Sequence, residues 1–216
     1  MDRLTPDKYL KINIEGFDFY FSKDGSIVDD ESNLVKAKSI LQQTVRSAKA
    51  SHIKDLLPFR KPKIVIADLT DHNISYRKTG TTPAYYSQGI IYIDEFKIHS
   101  VDLFVHEYAH YLVDRVSKQT EPILIKAYDD MLKEYYRRTK RKKIDLKDRR
   151  SDSKKTMEIK LSERKKIARY LGFPSEYGLN DFHEFFAEVI TNWKKMPNNS
   201  ATYVFKKLVK QVISRL

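Results

Sequence analysis

The sequence predicts an α+β fold, and three features predict it. β-Prone segments are confined to the first 94 residues, one long helical pattern interrupts them, and helical periodicity dominates from Val101 onward. At 216 residues the chain is long enough for one domain with a substantial core. Hydrophobic residues at 41% and aromatic residues at 12% supply the apolar surface that such a core needs.

Residues 9–21, YLKINIEGFDFYF, alternate apolar and polar side chains about Gly16, which predicts short strands or hairpins; the SKDGS that follows is turn chemistry ahead of Ile27 and Val28. From Ser32 to Leu57 the apolar positions Leu34, Val35, Ile40, Leu41, Val45, Ala48, Ile53, Leu56 and Leu57 approximate helical spacing, and Pro58 closes the stretch. KIVIADL at 63–69 is a β-branched run after Pro62, suited to a strand buried on both faces. AYYSQGIIYID at 84–94 offers two β-prone halves around Gly89, either a hairpin or one bulged strand.

Val101, Val105, Tyr108, Leu112 and Val116 recur at three- and four-residue intervals, which predicts a helix over 101–116. A further helix begins near Glu121-Pro122, with proline in its first turn, and runs to about Arg138. Thr139 to Lys155 has little apolar content and reads as an exposed loop. Lys160 to Leu171 is helical in pattern and stops at Gly172. Asn180 is placed as the N-cap of a helix through Trp193, whose stripe is Phe182, Phe185, Phe186, Val189, Ile190 and Trp193. The segment from Ala201 to Leu216 repeats the amphipathic pattern.

No apolar run approaches the ~20 residues that span a bilayer, and the first residues lack the basic-then-apolar layout of a signal peptide. A cytoplasmic chain, or one delivered or secreted by another route, is the corresponding expectation. Without cysteine there is no disulfide, thiolate site or cysteine nucleophile, so a transition metal has to be held by His, Asp or Glu. The net charge of +12 is uneven: Lys133 to Arg169 holds 17 Lys and Arg against 6 Asp and Glu. That run is a solvated surface or a site for an acidic partner. Nucleic acid is disfavoured because the run's aromatics are confined to Tyr135 and Tyr136 near its start and it carries no nucleic-acid-binding motif.

His106-Glu107-Tyr108-Ala109-His110 lies within the predicted 101–116 helix, where a four-residue separation sets two imidazoles one turn apart on one face. Such a pair can clamp one metal ion, and Glu107 points elsewhere, free to approach a water at the metal. A catalytic zinc site needs a third protein ligand. Glu184 and Glu188, four apart on an aromatic-rich helix, are the candidates, because an unpaired carboxylate on a buried helix is costly. Glu184 is the expected ligand, and Glu188 would accept a hydrogen bond from a ligating imidazole. Ordinary solvent exposure beside the apolar stripe is the competing reading of both.

HEYAH, with Tyr177 and, seven residues later, Glu184 inside EYGLNDFHEFFAEVI, resembles the catalytic domain of the anthrax lethal factor family and the related Pro-Pro endopeptidases. The resemblance covers about Ala84 to Val116 and Tyr177 to the C-terminus. It implies one zincin-like metallopeptidase domain over 1–216: N-terminal strands and helix 1–60, core strands and active-site helix 61–120, and a helical part 121–216. The small mixed sheet then carries an edge strand over the active-site helix. The resemblance also implies one zinc ion on His106, His110 and Glu184, with Glu107 as general base and Tyr177 as an assisting phenol. Ala109 departs from the family's glycine, one small residue for another.

The implied reaction is hydrolysis of a protein or peptide substrate, either in a toxin-like effector or in an intracellular regulatory protease. An extended peptide would pair with the edge strand within Ala84–Ile93, and Tyr85, Tyr86 and Tyr92 would line its side pockets. His99 and His183 read as structural or surface residues, and His52 and His72 carry no assignment. The rival from another class is a non-catalytic basic module, binding nucleic acid or an acidic protein, with a structural metal.

Overall fold

A computed structural model describes residues 4–50, 61–69, 83–116, 119–138, 161–171, 176–179, 182–194, 206–207 and 209–211. The protein is α+β, with a five-stranded mixed sheet and several helices. Its two compact units are Met1–Tyr111 and Leu112–Leu216.

The first unit contains the sheet. β1 (Tyr9–Ile14) and β2 (Phe17–Ser22) form an antiparallel hairpin in which Glu15 and Gly16 take φ values of 54° and 83°. Two left-handed residues in a two-residue turn match the twist of the flanking strands. α1 (Glu31–Ala48) then leads to β3 (Lys63–Ala67), which pairs parallel with β2. β4 (Ala84–Ser87) and β5 (Ile90–Asp94) make a second hairpin, turning at Gln88 and Gly89 with φ values of 49° and 85°. β5 pairs parallel with β3, so the order is β1-β2-β3-β5-β4 and β4 is an edge.

Alternation sorts the side chains onto two faces. Phe17, Phe19, Phe21, Ile64, Ile66, Ile91 and Ile93 share one face and are at most 2% exposed. Burying each such side chain contributes ~1.5–3 kcal/mol. α2 (Val101–Arg115) packs here: the Phe17 ring meets Phe104 and Tyr108 edge-on at centroid distances of 5.7 and 6.1 Å. The other face groups Tyr20, Val65, Ala67 and Leu69, with Tyr9, Tyr85 and Tyr92 packed against them.

α1 starts at Glu31, one residue before the expected Ser32, because Asp30 caps it: its carboxylate accepts from Ser32 N at 2.8 Å. Side chains also tie this helix to the first hairpin. Glu15 Oε1 accepts from Arg46 Nε at 2.7 Å, Lys49 Nζ donates to the Glu15 carbonyl at 2.8 Å, and Arg46, Gln42 and Lys49 hold the Glu15 carboxyl down at about 2. The expected continuation of α1 to Leu57 lies outside the described residues.

In the second unit, α3 (Glu121–Arg138) and α4 (Leu161–Leu171) fall where periodicity puts them, and α5 (Phe182–Thr191) ends two residues short of the expected Trp193. Tyr128 of α3 meets Phe185 of α5 at 4.6 Å, and Tyr135 meets Tyr170 of α4 at 5.1 Å. The expected loop at 139–155, the cap at Asn180, His52 and His72 lie outside the described residues, as does most of 201–216. Among the described residues no helix is long and apolar enough to cross a membrane.

Tyr108 of α2 carries a testable cost. The residue is fully buried, its hydroxyl has no hydrogen-bond partner among the described residues, and burial pushes the phenol well above its ordinary range. An unsatisfied buried hydroxyl costs ~1–3 kcal/mol, so Tyr108→Phe should leave the melting temperature unchanged or raise it. A destabilisation of more than about 1 kcal/mol in chemical denaturation would contradict this packing.

Candidate metal centre

α2 is the helix expected from the apolar spacing, and it carries both histidines of the motif. Its core-facing positions Phe104, Val105, Tyr108, Ala109 and Leu112 are buried. His106 and His110 are part-buried on another side, with ring centroids 4.9 Å apart, planes at 76° and Nε2 atoms 3.2 Å apart. At that separation the two nitrogens either share one proton or, both unprotonated there, present two lone pairs to one cation. Glu107 lies next in sequence and is 6% exposed, a carboxylate well shielded from solvent.

In the second unit Glu184 sits in the first turn of α5, part-buried, where the positive end of the helix dipole favours a carboxylate. Its carboxylate is the oxygen donor that the sequence sets beside the two imidazoles of α2. Nitrogen, nitrogen and oxygen form the donor set expected of a catalytic zinc site in a protein without cysteine.

Glu188 is 8% exposed, and its Oε2 accepts from Asn192 Nδ2 at 2.7 Å. The same amide donates to the Glu188 carbonyl at 3.0 Å, so Asn192 fixes this carboxylate on the helix. Asn192 escaped the sequence reading, although its signal was present: Glu184, Glu188 and Asn192 recur at four-residue intervals along one helical face. Tyr177 opens a short 3-10 turn, Tyr177–Leu179, ahead of α5; its side chain lies outside the described residues.

The three tyrosines expected along the edge hairpin divide between the sheet faces. Tyr85 and Tyr92 are cross-strand partners whose rings stack at 4.6 Å and 9°, on the face of Tyr20 and Val65. Burial lifts the Tyr85 phenol to about 12, with Tyr92 and Tyr9 adding to the effect, so it stays protonated. Tyr86 points to the α2 face, where its ring meets Tyr111 edge-on at 6.3 Å and its hydroxyl accepts from Gly89 N at 3.0 Å. Period-two alternation makes the division unavoidable, and of the three only Tyr86 shares a face with α2.

His99 and His183 are exposed. The described cations of α3 are paired along their own helix: Lys133 and Arg137 meet Asp130 and Glu134 at 2.8 Å, and Lys126 meets Asp130 at 3.5 Å. That is the arrangement of a solvated helix face. Comparison with known protein families, with characterised proteins and with solved structures finds no match, so the motif and the geometry of its residues carry the functional reading.

Proposed function

We propose that this chain is a zinc-dependent endopeptidase of the zincin type, similar to the lethal factor-like peptidases. The observation that carries the reading is the imidazole pair of His106 and His110 one turn apart on α2, with the buried Glu107 between them in sequence. Two nitrogens at 2.0–2.1 Å from one tetrahedral ion stand ~3.3–3.4 Å apart. The 3.2 Å between the imidazole nitrogens is close to that edge.

When bound, zinc supplies a lowered water pKa and a Lewis acid for the scissile carbonyl. Glu107 takes the proton of the attacking water and returns it to the leaving amine, serving as base and then as acid. Its burial keeps bulk water from competing for that proton. Tyr177, on the family resemblance, donates a hydrogen bond to the developing oxyanion. Asn192 holds Glu188 one turn from Glu184, where the carboxylate steadies the ligand set.

β4 is an edge strand, so its outer backbone groups can pair with an extended protein or peptide substrate. Such pairing confers affinity with little sequence preference, leaving selection to side pockets. Tyr86 faces the right way to line one.

Digestion of a diverse peptide library tests the reading. Internal cleavage should cease with a chelator and return when zinc is restored. Cleavage that survives complete removal of metal would contradict it, as would a metal-loaded, folded protein that cuts nothing in the library.

A further inference from the structure

Away from the histidine pair, the first unit holds a cavity of about 300 Å³ between α1 and the short 3-10 turn Glu95–Lys97 that joins β5 to α2. Ile27, Ala37, Ile40, Phe96 and Ile98 give it apolar walls. A carboxylate also lines it: Glu95 is only 7% exposed. Glu95 Oε1 accepts from Ser26 Oγ at 2.6 Å, and no lysine or arginine pairs with the group among the described residues. Lys36 lines the same cavity without forming an ion pair there. Gly25 permits the arrangement, since a Cβ on it would stand 2.8 Å from Glu95 Oε2.

A carboxylate taken out of water this far is costly unless a cation meets it. The walls need a partner as well: Phe96 is 62% exposed and Ile40 is 37% exposed. A small solute filling the cavity would leave much of that surface in water, whereas a polypeptide could cover it. Guanidinium fits the rest, because it binds a carboxylate through two parallel hydrogen bonds and stacks on an aromatic ring.

We propose that this cavity receives an arginine side chain of a protein partner, with Glu95 binding the guanidinium, Phe96 stacking on it, and Ile27 and Ile40 packing on its stem. The Asp94 carboxylate accepts from Phe96 N at 3.0 Å and from Leu69 N at 3.2 Å, so the turn that carries the carboxylate and the ring is held before any partner arrives. This site uses none of the proposed zinc ligands and is independent of the peptidase reading.

The test uses the full chain, stripped of metal by a chelator so that no probe is cleaved. Two capped peptides, acetyl-Leu-Arg-Leu-amide and its citrulline counterpart, are titrated against it by NMR. Citrulline keeps the length and planarity of arginine and loses only the charge. The arginine peptide should shift backbone resonances of 26–40 and 95–98, and the citrulline peptide should bind at least about tenfold more weakly.

Glu95→Gln should abolish the difference between the peptides. Ile40→Arg, a change at a partly exposed position that need not disturb the core, should block binding by filling the cavity from within. Equal affinity for the two peptides in wild type, shifts confined to other residues, or full binding by the Ile40→Arg variant would each overturn the proposal.

Discussion

Glu107→Gln is expected to retain one zinc per chain and the native fold while peptide hydrolysis falls by roughly 10²- to 10⁴-fold. Glutamine matches glutamate in shape and can still hydrogen-bond, so the α2 helix and the imidazoles at 106 and 110 keep their setting. It cannot accept a proton at neutral pH, and the attacking water loses its base. The drop should appear in kcat with little change in KM, because the carboxylate acts on the reacting atoms and not on the docked peptide. Zinc content and kcat measured on the same sample check both halves. A zinc-loaded variant within about threefold of wild-type activity would remove Glu107 from the mechanism.

Much of the fold is legible in local patterns of the sequence. Spacing of Val101, Val105, Tyr108 and Leu112 predicted α2, and α2 spans Val101–Arg115. The alternation around Gly16 predicts short strands or hairpins and that around Gly89 a hairpin or one bulged strand, and both prove to be hairpins with φ-positive turns. The β-branched run at 63–69 contains β3 over Lys63–Ala67, held between two parallel neighbours and buried from Ile64 to Ala67. Each of these signals lies within a few residues of the structure it specifies.

Contacts between distant segments were not legible. The Glu15 to Arg46 pair joins residues 31 apart, and Ser26 reaches Glu95 across 69, with no periodicity to announce either. Division of Tyr85 and Tyr92 from Tyr86 was legible in principle, because it follows from strand alternation alone. An extended peptide on β4 alternates its side chains in the same way, so the two faces offer it separate candidate pocket residues. In the candidate site, the histidine pair and Glu107 could be read from one helical turn. Glu184 needed the further argument that a carboxylate on an aromatic helix wants a counter-charge. Asn192 was missed because amides are common on helix surfaces, and its 2.7 Å bond to Glu188 shows only in coordinates.

Removing a ligand is the second change with a large expected effect. His106→Ala, His110→Ala and Glu184→Ala each leave two protein donors where catalytic zinc sites use three. Losing even an outer partner of a ligand costs ~10- to 100-fold in metal affinity, so losing the ligand itself should weaken zinc binding by more than about 100-fold. All three positions are part-buried near the surface and not in the core, so the variants should stay folded. Hydrolysis should disappear with the metal and, for Glu184→Ala, return only at zinc concentrations far above those that saturate wild type.

Glu184→Ala is the decisive member of the series, because the histidine pair is one helical turn while Glu184 comes from a segment more than 70 residues further along. Zinc bound per folded chain, measured after dialysis against a buffered low concentration of free zinc, separates the possibilities. The account predicts one zinc in wild type and close to none in Glu184→Ala under the same conditions. Equal zinc in the two proteins, or none in wild type, would contradict it.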